Sequence, residues 1–534
     1  MVPLRKDAVT DMNREGLETE KKYDVGPGAA LPALQDISGV GRVGEPSEAV
    51  LEAVYFDTAD LALAARRITL RRRTGGTDAG WHLKLAPEGN QSSQGGGDSV
   101  PQRQEIHAPL GQADVVPDQL LVHLHAYLRG AAVSPAARLK NRRTTHPLYG
   151  HDGVHLADFA DDRVESEALG SGLKQEWREW ELELVRGSAE IFPSAETCFT
   201  AAGARPAAHE SKLGRALGEA WPKQSDAKQP DAKQPDGEPA GQKGPASGVV
   251  TAYLGAQIAQ LLRTDPAVRL EEPDAVHQMR SATRRLRSAL AVYRKLFGDA
   301  AVRRLRDELK WLGRILGAPR DAEVTRERVL AGVNALPPEQ ADAVRDRLER
   351  ELGDRFTAGY RRVQEVLVSD RYYRLLDALE EFRDNPPALP AGAAPAGQVA
   401  GKRIGRTVRR LRRSAKAARR EKAGPAHDTA LHQVRKDAKR LRHAAESVVP
   451  LHGKRATKLA DAAHRQQKIL GDHHDSVVAR TLLGKLARGP QPSEHVRAAY
   501  ARLVQKEDKA AARTEAKYHK ARRKARKLLK RGLA

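Results

Sequence analysis

Residues 17–25 read LETEKKYDV, and this stretch decides how the N-terminal half of the chain is interpreted. Successive side chains of a β-strand point to opposite faces, so Glu18, Glu20 and Lys22 share one face. Strands normally turn an apolar face toward a core and leave at most one face polar. The stretch therefore predicts a strand whose charged face needs a functional explanation.

Four later segments repeat this pattern of one charged and one apolar or mixed face. They are TLRRRT (69–74), WHLKL (81–85), RQEIH (103–107) and WELELV (180–185). One such strand would normally face solvent, but five suggest a closed barrel whose interior is lined by charges. Carboxylates bind hard divalent ions through oxygen, and Arg and Lys bind phosphate oxygens. The pattern predicts a site for a metal ion and a polyphosphate.

The opening Glu-x-Glu-x-Lys resembles the signature of the CYTH family, the triphosphate tunnel metalloenzymes. The resemblance covers about residues 17–220 and is supported by an ordered set of further positions. These are YFDT at 55–58, Arg71 and Arg73, Lys84, Arg103 with Glu105, Lys140 and Arg142, Asp162, Glu181 and Glu183, and Ser211 with Lys212.

The resemblance implies an antiparallel eight-stranded β-barrel, or tunnel, that binds a triphosphate-containing substrate with Mg²⁺ or Mn²⁺. Around Asp162, both Asp158 and Asp161 compete for the inward position, and Glu179 shares the parity of Glu181. The residue roles implied are catalytic for Lys22, Glu18 and Glu20; substrate-binding for Arg71, Arg73, Lys84, Lys140, Arg142 and Lys212; and metal-binding for Glu18, Glu20, Glu105, Asp162, Glu181 and Glu183.

The charge of the chain is distributed very unevenly. The whole chain of 534 residues has a formal charge of +23, but residues 1–222 hold 25 basic and 32 acidic residues. Residues 247–534 hold 63 basic and 33 acidic residues. An asymmetry of this kind indicates a polyanionic partner for the C-terminal half, which could be nucleic acid, an anionic membrane or inorganic polyphosphate.

The C-terminal half is rich in Ala, Leu, Arg and Glu with helical periodicity, which predicts an all-helical domain. It is also duplicated. VHQMRSATRRLRSAL from residue 276 matches LHQVRKDAKRLRHAA from 431, and ILGAPRDAEV from 315 matches ILGDHHDSVV from 469. The repetition predicts two similar helical units.

Each copy of the first motif places a histidine and three cations on one helical face. The half closely resembles the CHAD domain over about residues 248–525, which implies two four-helix bundles and a basic surface that binds inorganic polyphosphate. The residues predicted to bind it are His277, Arg280, Arg284, Arg287, Lys310, Arg314, His432, Arg435, Lys439, Arg442 and Lys468, with Arg320 beside them.

The run Asp472-His473-His474-Asp475 suggests a metal site, but its counterpart in the first copy, residues 318–321, lacks the ligands. We therefore expect Asp321 and Asp475 to brace the helices and orient the cations.

The domain organisation follows from these patterns and from two Pro-, Gly- and Ala-rich breaks. Residues 86–102 are interpreted as a disordered insertion between two strands. The predicted segments are a disordered N-terminus (1–16), the tunnel domain (17–222), a flexible linker (223–247), a first bundle (248–384), a connection (385–401), a second bundle (402–525) and a basic tail (526–534).

One cysteine, Cys198, and acidic residues in place of an apolar leader argue against a secreted protein, so we expect a cytosolic location, with polyphosphate granules as a possible site. No apolar run reaches the length of a membrane span.

The leading interpretation is a polyphosphate-binding protein with a metal-dependent triphosphatase tunnel. The alternatives are a non-catalytic granule adaptor, an adenylyl-cyclase-like or thiamine-triphosphatase-like tunnel, and a nucleic-acid-binding protein. The last lacks aromatic stacking platforms or a groove-reading motif.

Overall fold

The computed structural model describes residues 15–86, 102–222, 243–488 and 493–533. The side chains of residues 15–18 and 102 lie outside the described part. So do residues 87–101 of the insertion predicted at 86–102, most of the linker and nearly all of the N-terminal segment. The chain divides into two compact units near residue 226.

The first unit is a single antiparallel sheet. Its strands are β1 (Glu15–Val25), β2 (Val40–Val43), β3 (Ser47–Asp57), β4 (Thr69–Thr74), β5 (Gly80–Lys84), β6 (Gln102–Ala108), β7 (Ser134–Gly150), β8 (His155–Ala168), β9 (Leu173–Leu184) and β10 (Arg205–Pro206). Three helices accompany it, α1 (Asp118–Leu128), α2 (Ile191–Ala201) and α3 (Lys212–Leu217).

Strand β1 pairs with two long strands in addition to the short strand β10. Residues 15–19 pair with β6, and residues 20–25 pair with β9. The pairings then run β6–β5–β4–β3–β7–β8–β9, so their order returns to β1 through eight strands. The short strands β2 and β10 are additional, on β7 and β1, which makes ten strands where the sequence predicted eight.

The two faces of this sheet are inverted relative to an ordinary barrel. Tyr23 and Trp180 lie on the outward face, where they form a buried core with Phe199 of α2. Their neighbours Lys22 and Glu181 therefore point to the interior face. The outward apolar residues of the strands are covered by helices, and this arrangement leaves much of the interior available for charged side chains.

Helix α3 fills part of the interior. Leu213 and Leu217 pack against Tyr55, Leu139 and Val164, which project from the interior faces of β3, β7 and β8. Ser211 caps the helix by accepting the N–H of Gly214 at 3.0 Å. Since Lys212 follows the cap directly, α3 holds that side chain at the edge of the remaining cavity.

The second unit is helical. Its helices are α4 (Ala246–Arg269), α5 (Ala275–Tyr293), α6 (Asp299–Ile315), α7 (Gly317–Val333), α8 (Pro338–Leu367), α9 (Asp370–Asp384), α10 (Ala396–Ala418), α11 (Pro425–Glu446), α12 (Val449–Leu486) and α13 (Glu494–Arg531). Helix α12 is kinked at Gly453, whose φ of 46° is outside the helical range.

Helices α5 and α11 carry the two copies of the repeated motif, and they contact each other. His443 on α11 hydrogen-bonds Ser288 on α5 at 3.1 Å, and Tyr293 at the end of α5 hydrogen-bonds Ser447 at 3.0 Å. One buried core joins α7 and α8 with α12 and α13. This core combines helices of both repeats, whereas the sequence analysis assigned each repeat its own bundle.

Residues 526–531 of the predicted basic tail belong to a helix. Helix α13 continues to Arg531, and Leu529 within it is buried. The fold class expected from sequence, an antiparallel β domain followed by an all-α domain, is confirmed. Among the described helices, none has both the length and the apolar composition to cross a bilayer.

Candidate functional site

A charged cavity of about 220 Å³ lies inside the β unit. Its charged and histidine lining residues come from β1, β4, β5, β6, β7, β9 and α3 and from the loops beside them. They are Glu20, Lys22, Arg71, Arg73, Asp78, Lys84, Arg103, Glu105, His107, Arg143, Glu181, Glu183, Glu210 and Lys212. The cavity confirms that the strands from five separate parts of the sequence turn charged faces toward one space.

One wall of the cavity is mainly cationic. Arg71 and Arg73 alternate along β4, and Lys84 lies on the neighbouring strand β5. Burial, together with Arg71 and Arg143, lowers the pKa of Arg73 to about 10, which leaves the guanidinium charged at neutral pH. Partly buried cations this close together repel one another, and this wall therefore favours an anion such as phosphate.

The opposite wall is mainly acidic and contains the opening motif. The Lys22 ammonium lies 2.7 Å from Glu20 and 2.6 Å from Glu181. Burial opposes charge on Lys22, but Glu181 and Glu20 outweigh it and raise the pKa of Lys22 above its ordinary value. Burial would raise the pKa of Glu20, yet Lys22 and Lys84 lower it to about 2. Both groups are charged at neutral pH.

A buried network extends the acidic wall toward α3. The Lys212 ammonium lies 2.9 Å from Asp162 and 2.6 Å from both Glu179 and Glu181. Arg143 donates two hydrogen bonds to Asp162, at 2.7 and 2.6 Å, and a short one to Glu181. Asp162 is completely buried, and burial works against its charge, but Lys212 and Arg143 lower its pKa.

Among the three aspartates of β8, Asp158 and Asp162 share the interior parity, and Asp162 is the one that belongs to this network. Asp162 faces the interior, whereas Asp161 faces away and forms a bidentate pair with Arg178, with both distances at 2.7 Å. Asp158 pairs instead with His155 at 2.8 Å.

The carboxylates suit a divalent ion. Asp162, Glu179 and Glu181 each offer an oxygen within 4.8 Å of the others. Glu20 of β1 lies directly opposite Glu183 of β9. Like charges placed opposite each other on paired strands are destabilising unless a cation lies between them. The side chain of Glu18 is outside the described residues, so its metal and catalytic roles remain predictions.

Two residues predicted to bind the substrate, Lys140 and Arg142, do not face the cavity, so their placement was predicted wrongly. Lys140 and Arg142 are exposed on the outer face of β7, and Lys140 lines an external groove together with Glu165 and Glu167. The inward residues of β7 are Leu139, Asn141 and Arg143. A shift of one residue along a strand transfers the entire set to the other face. In LKNRRT the adjacent arginines allow either parity, and the sequence analysis selected the wrong one.

Glu105 is enclosed by histidines that the sequence analysis did not select. His82 Nδ1 lies 3.1 Å from one oxygen of Glu105, and His107 Nε2 lies 3.5 Å from the other. Arg71 and Lys84 are at 4.0 and 3.9 Å. His82 and His107 are directly opposite each other on β5 and β6, a pairing that only the register reveals.

Asp57 of the YFDT segment has a structural role. Its buried carboxylate accepts the backbone N–H groups of Thr58, Leu63 and Ala64 at 2.7 to 2.9 Å. These bonds hold the turn between β3 and β4, and they place Arg71 and Arg73 on the strand that follows.

In the helical unit, the repeated motifs meet at the crossing of α5 and α11. Arg280 and Arg284 of α5 approach Arg435 and Lys439 of α11. Burial and then the neighbouring cations lower the pKa values of Arg284, Arg435 and Lys439. Burial lowers the pKa of Lys439 to about 6, with Arg284 and Arg435 adding to the effect. We call these four residues the central cations.

Acidic residues brace the central cations as expected. Asp321 accepts a hydrogen bond from Arg280 at 2.8 Å, and Asp475 favours the charge of Arg435. The rings of His432 and His474 lie 4.1 Å apart. Within the described residues, the Asp472–Asp475 run forms no cluster of metal ligands.

Among the other predicted polyphosphate ligands, His277 and His432 lie beside the central cations, and the rest lie apart from them. Arg442 pairs with Glu446 at 2.6 Å and hydrogen-bonds His464. Arg287 is repelled by Arg306 rather than by the central cations. His277 lies near Arg320 and Arg284, while Lys310, Arg314 and Lys468 are exposed on α6 and α12.

A second basic feature, a cavity of about 1670 Å³, was not predicted from the sequence. It lies between α10 and the end of α13, with contributions from α5, α6 and α11. No carboxylate of the described residues lines it, although buried Asp437 accepts hydrogen bonds from Arg410 and Arg440 at its margin, at 2.7 and 2.9 Å. We call it the basic cavity. Its lining cations are Arg294, Lys295, Arg306, Arg403, Arg406, Arg409, Arg410, Arg412, Arg413, Lys416, Arg419, Arg440, Arg522, Arg523, Arg526 and Lys530.

A sequence signal for this cavity exists. Residues 402–416 and 519–530 are the two most arginine- and lysine-rich helical stretches of the half, and the end of the second was predicted to be a basic tail. Only the packing of α13 beside α10 brings them together.

Comparisons with known proteins agree with the two units. The CYTH domain family model matches residues 16–199, and the CHAD domain family model matches residues 252–484. Uncharacterized protein MT2285 of Mycobacterium tuberculosis (strain CDC 1551 / Oshkosh) is 39% identical over 483 residues, which is 87% of this chain and 87% of that protein.

Two solved structures resemble part of the chain. PptA from Streptomyces chartreusis is 21% identical, with a TM-score of 0.46, and the match covers 52% of this chain and 99% of that one. The CHAD domain from the plant Ricinus communis is 28% identical, with a TM-score of 0.43, over 52% of this chain and 92% of that one.

Proposed function

The chain belongs to the family of proteins in which a CYTH domain is followed by a CHAD domain, and we propose that it binds inorganic polyphosphate and hydrolyses triphosphate or polyphosphate in its β unit. The observation that supports this most directly is the interior cavity. Its cations suit phosphate oxygens, its carboxylates suit a divalent ion, and a site that only bound anions would have no use for so many carboxylates.

The substrate would lie along the cationic wall. Arg71, Arg73 and Lys84 hold phosphate oxygens, and these cations stabilise the charge that develops during phosphoryl transfer. On β7, the candidate substrate ligand is Arg143, in place of the predicted Lys140 and Arg142.

Lys22 acts as a fixed positive charge. Because Glu181 and Glu20 keep it protonated, it is unsuited to accept a proton from an attacking water. Its ammonium orients the two carboxylates and neutralises a neighbouring phosphate oxygen instead.

The residues that would hold Mg²⁺ or Mn²⁺ are Glu20 with Glu183, and Asp162 with Glu179 and Glu181. When bound, such an ion supplies Lewis-acid stabilisation of phosphate charge and lowers the pKa of a coordinated water. Lys212 and Arg143 hold these carboxylates apart from solvent and fix their orientation.

The helical unit would capture long chains. The central cations bring three arginines and a lysine together, and the basic cavity concentrates positive charge with no carboxylate of the described residues in its lining. Capture on the same polypeptide raises the effective concentration of phosphate ends for the β unit without a new contact.

The decisive experiment measures orthophosphate release from tripolyphosphate with Mg²⁺, Mn²⁺ or EDTA. We expect metal-dependent release, reduced at least about a hundredfold by Glu181→Gln. Glu176→Gln is the matched control, since Glu176 is exposed on the opposite face of β9. Equal activity of the two variants would contradict the proposed site.

The same assay separates the alternative functions. Pyrophosphate release from ATP would identify a cyclase, and a preference for thiamine triphosphate would identify a thiamine triphosphatase. Binding of long-chain polyphosphate without turnover of any substrate would identify an adaptor.

Polyphosphate capture is tested by charge reversal in each basic feature. Arg280→Glu with Arg435→Glu changes the central cations, and Arg409→Glu with Arg413→Glu changes the basic cavity. We expect both pairs to weaken long-chain binding at least tenfold while tripolyphosphate hydrolysis persists. Unchanged affinity in both double variants would exclude capture by the helical unit.

A further inference from the structure

One of the four central cations differs in chemistry from its counterpart in the other repeat. Arg280 and Arg435 are equivalent in the two copies of the motif, but Arg284 is matched by a lysine, Lys439. An arginine stays charged in proteins, whereas a buried lysine gives up its proton readily. The crossing of α5 and α11 therefore places one primary amine among three guanidinium groups.

The amine of Lys439 has no counterion of its own. Among the described residues it forms neither an ion pair nor a hydrogen bond. Asp321 favours its charge, but that carboxylate is already bound to Arg280 at 2.8 Å. The side chain of Lys439 is only partly buried, so a small molecule can reach it.

The guanidinium groups around the amine are fixed in place. An ideal Cβ added to Gly317 would lie 3.5 Å from the guanidinium of Arg280, and one added to Gly471 would lie 3.5 Å from that of Arg435. Both glycines end the ILG segment of the second repeated motif. The two arginines thus pack directly on the backbone of this motif in each repeat.

These guanidinium groups also have donors without acceptors. The Nε atoms of Arg280, Arg284 and Arg435 are buried, and each lacks a hydrogen-bond partner within the described residues. Buried polar groups are normally paired with protein, water or a bound ion. The donors around Lys439 therefore favour a ligand with several anionic oxygen atoms, such as a phosphate group.

The titratable and charged groups that face Lys439 come from four helices. They are Arg280 and Arg284 on α5, Asp321 on α7, His432, Arg435 and His443 on α11, and His474 on α12. Burial and the three arginines lower the pKa of Lys439 to about 6, and the pKa values of the three histidines are lowered as well. At pH 7 about nine-tenths of such amines are unprotonated, against roughly one in three thousand for an ordinary lysine.

From this geometry we propose that Lys439 is a covalent modification site for small molecules that carry both a phosphate group and an aldehyde or ketone. The guanidinium groups bind the phosphate, and the neutral amine attacks the carbonyl carbon. Polyphosphate alone would turn Lys439 into a fourth cation, whereas an electrophile uses its lone pair.

The reaction is a condensation. The lone pair of Nζ forms a bond to the carbonyl carbon, the amine gives up two protons, and the carbonyl oxygen takes them and leaves as water. A C=N bond replaces the C=O bond, and no oxidant or reductant takes part. The inference uses the α5–α11 crossing alone and does not require that the protein bind or hydrolyse polyphosphate.

The test treats the full-length protein at pH 7 with pyridoxal 5′-phosphate, an aldehyde that carries a phosphate. Borohydride then reduces the imine to a stable amine, and peptide mass spectrometry locates the labelled lysines. Lys436 is the internal control, because it is exposed on the same helix. We expect Lys439 to be labelled at least tenfold faster than Lys436. Equal labelling of the two lysines would overturn the proposal.

A second comparison isolates the role of the guanidinium groups. Glyceraldehyde 3-phosphate should label Lys439 at least tenfold faster than glyceraldehyde, since only the former carries an anion for the arginines. Equal rates at Lys439 would contradict a phosphate-binding site. Lys439→Arg should remove most of the rapid labelling, whereas the matched variant Lys436→Arg should keep it, with circular dichroism confirming that both are folded. Rapid labelling that persists in Lys439→Arg would assign the reactive amine to another lysine and refute the inference.

Discussion

Lys439 should make polyphosphate binding depend on pH. Burial lowers its pKa to about 6, and Arg284 and Arg435 contribute to this shift. The free side chain is therefore mainly neutral at pH 8, although an ordinary lysine has a pKa of 10.5. A polyphosphate chain beside Lys439 favours the charged form of its side chain. At a pH between 6 and 10.5, polyphosphate binding is therefore accompanied by the uptake of a proton.

The size of the effect follows from the shift. Each pH unit above the pKa of the free group costs about 1.4 kcal/mol for protonation. Protonating Lys439 at pH 8 therefore costs up to about 2.7 kcal/mol, a loss of affinity of roughly a hundredfold relative to pH 6. Below pH 6 the group is already charged, and its contribution to binding becomes constant.

The assay is titration of long-chain polyphosphate at constant ionic strength from pH 5.5 to 8.5, because exposed charges respond strongly to salt. Lys439→Arg is the informative variant. In the same surroundings Arg284 keeps a pKa of about 10, so an arginine at 439 should remain charged throughout. The variant should lose the pH dependence and bind more tightly than the unchanged protein at pH 8.

Lys439→Met should also lose the pH dependence, but it should bind more weakly at pH 6. If the unchanged protein and Lys439→Arg show the same dependence of affinity on pH, the neutral state of Lys439 is refuted.

Three further predictions concern the β unit. Arg143→Gln removes a partner of the fully buried Asp162 and should destabilise the β unit by about 3 kcal/mol in thermal unfolding. Arg142→Gln, on the exposed face, should change the stability by less than about 0.5 kcal/mol. Similar values for the two variants would contradict the assigned parity of β7. Asp57→Ala removes the acceptor of three backbone N–H groups and should lower the free energy of unfolding by about 2–3 kcal/mol, measured with a denaturant. An unchanged unfolding midpoint would argue against the structural role of Asp57. Glu20 has a folded-state pKa of about 2 against an ordinary 4.5, so its contribution to stability is present above pH 4.5 and is lost as pH falls toward 2. Glu20→Gln should therefore reduce the pH dependence of the unfolding free energy between pH 4.5 and pH 2. An unaltered pH dependence in this variant would contradict the prediction.

The sequence determined the strands and their charged faces to a large extent. Alternation in LETEKKYDV places Glu20 and Lys22 on one face whatever the tertiary structure, because the side-chain period of a strand is two. The repeated HQ-x-R motifs determined that Arg280 and Arg435 occupy equivalent positions. Long, regular patterns of this kind are local, and local patterns are visible in the chain itself.

Ambiguous parity marks the limit of that information. LKNRRT contains cations at both parities, so Lys140 and Arg142 were as plausible as Arg143 until the pairing of β7 with β3 and β8 was known. Asp161 and Asp162 of β8 pose the same problem. A strand's inward face depends on its register with neighbouring strands, which is a property of the folded sheet.

Contacts between distant segments were decided by the tertiary structure alone. The histidine pair at 82 and 107, the basic cavity between α10 and α13, and the core shared by both repeats all join residues that no spacing in the sequence relates. The sequence thus specifies which groups are charged and how they repeat. Packing determines which of them become neighbours, and since the energies of charges depend on distance and burial, packing also determines that Lys439 is close to neutral while Lys22 is not.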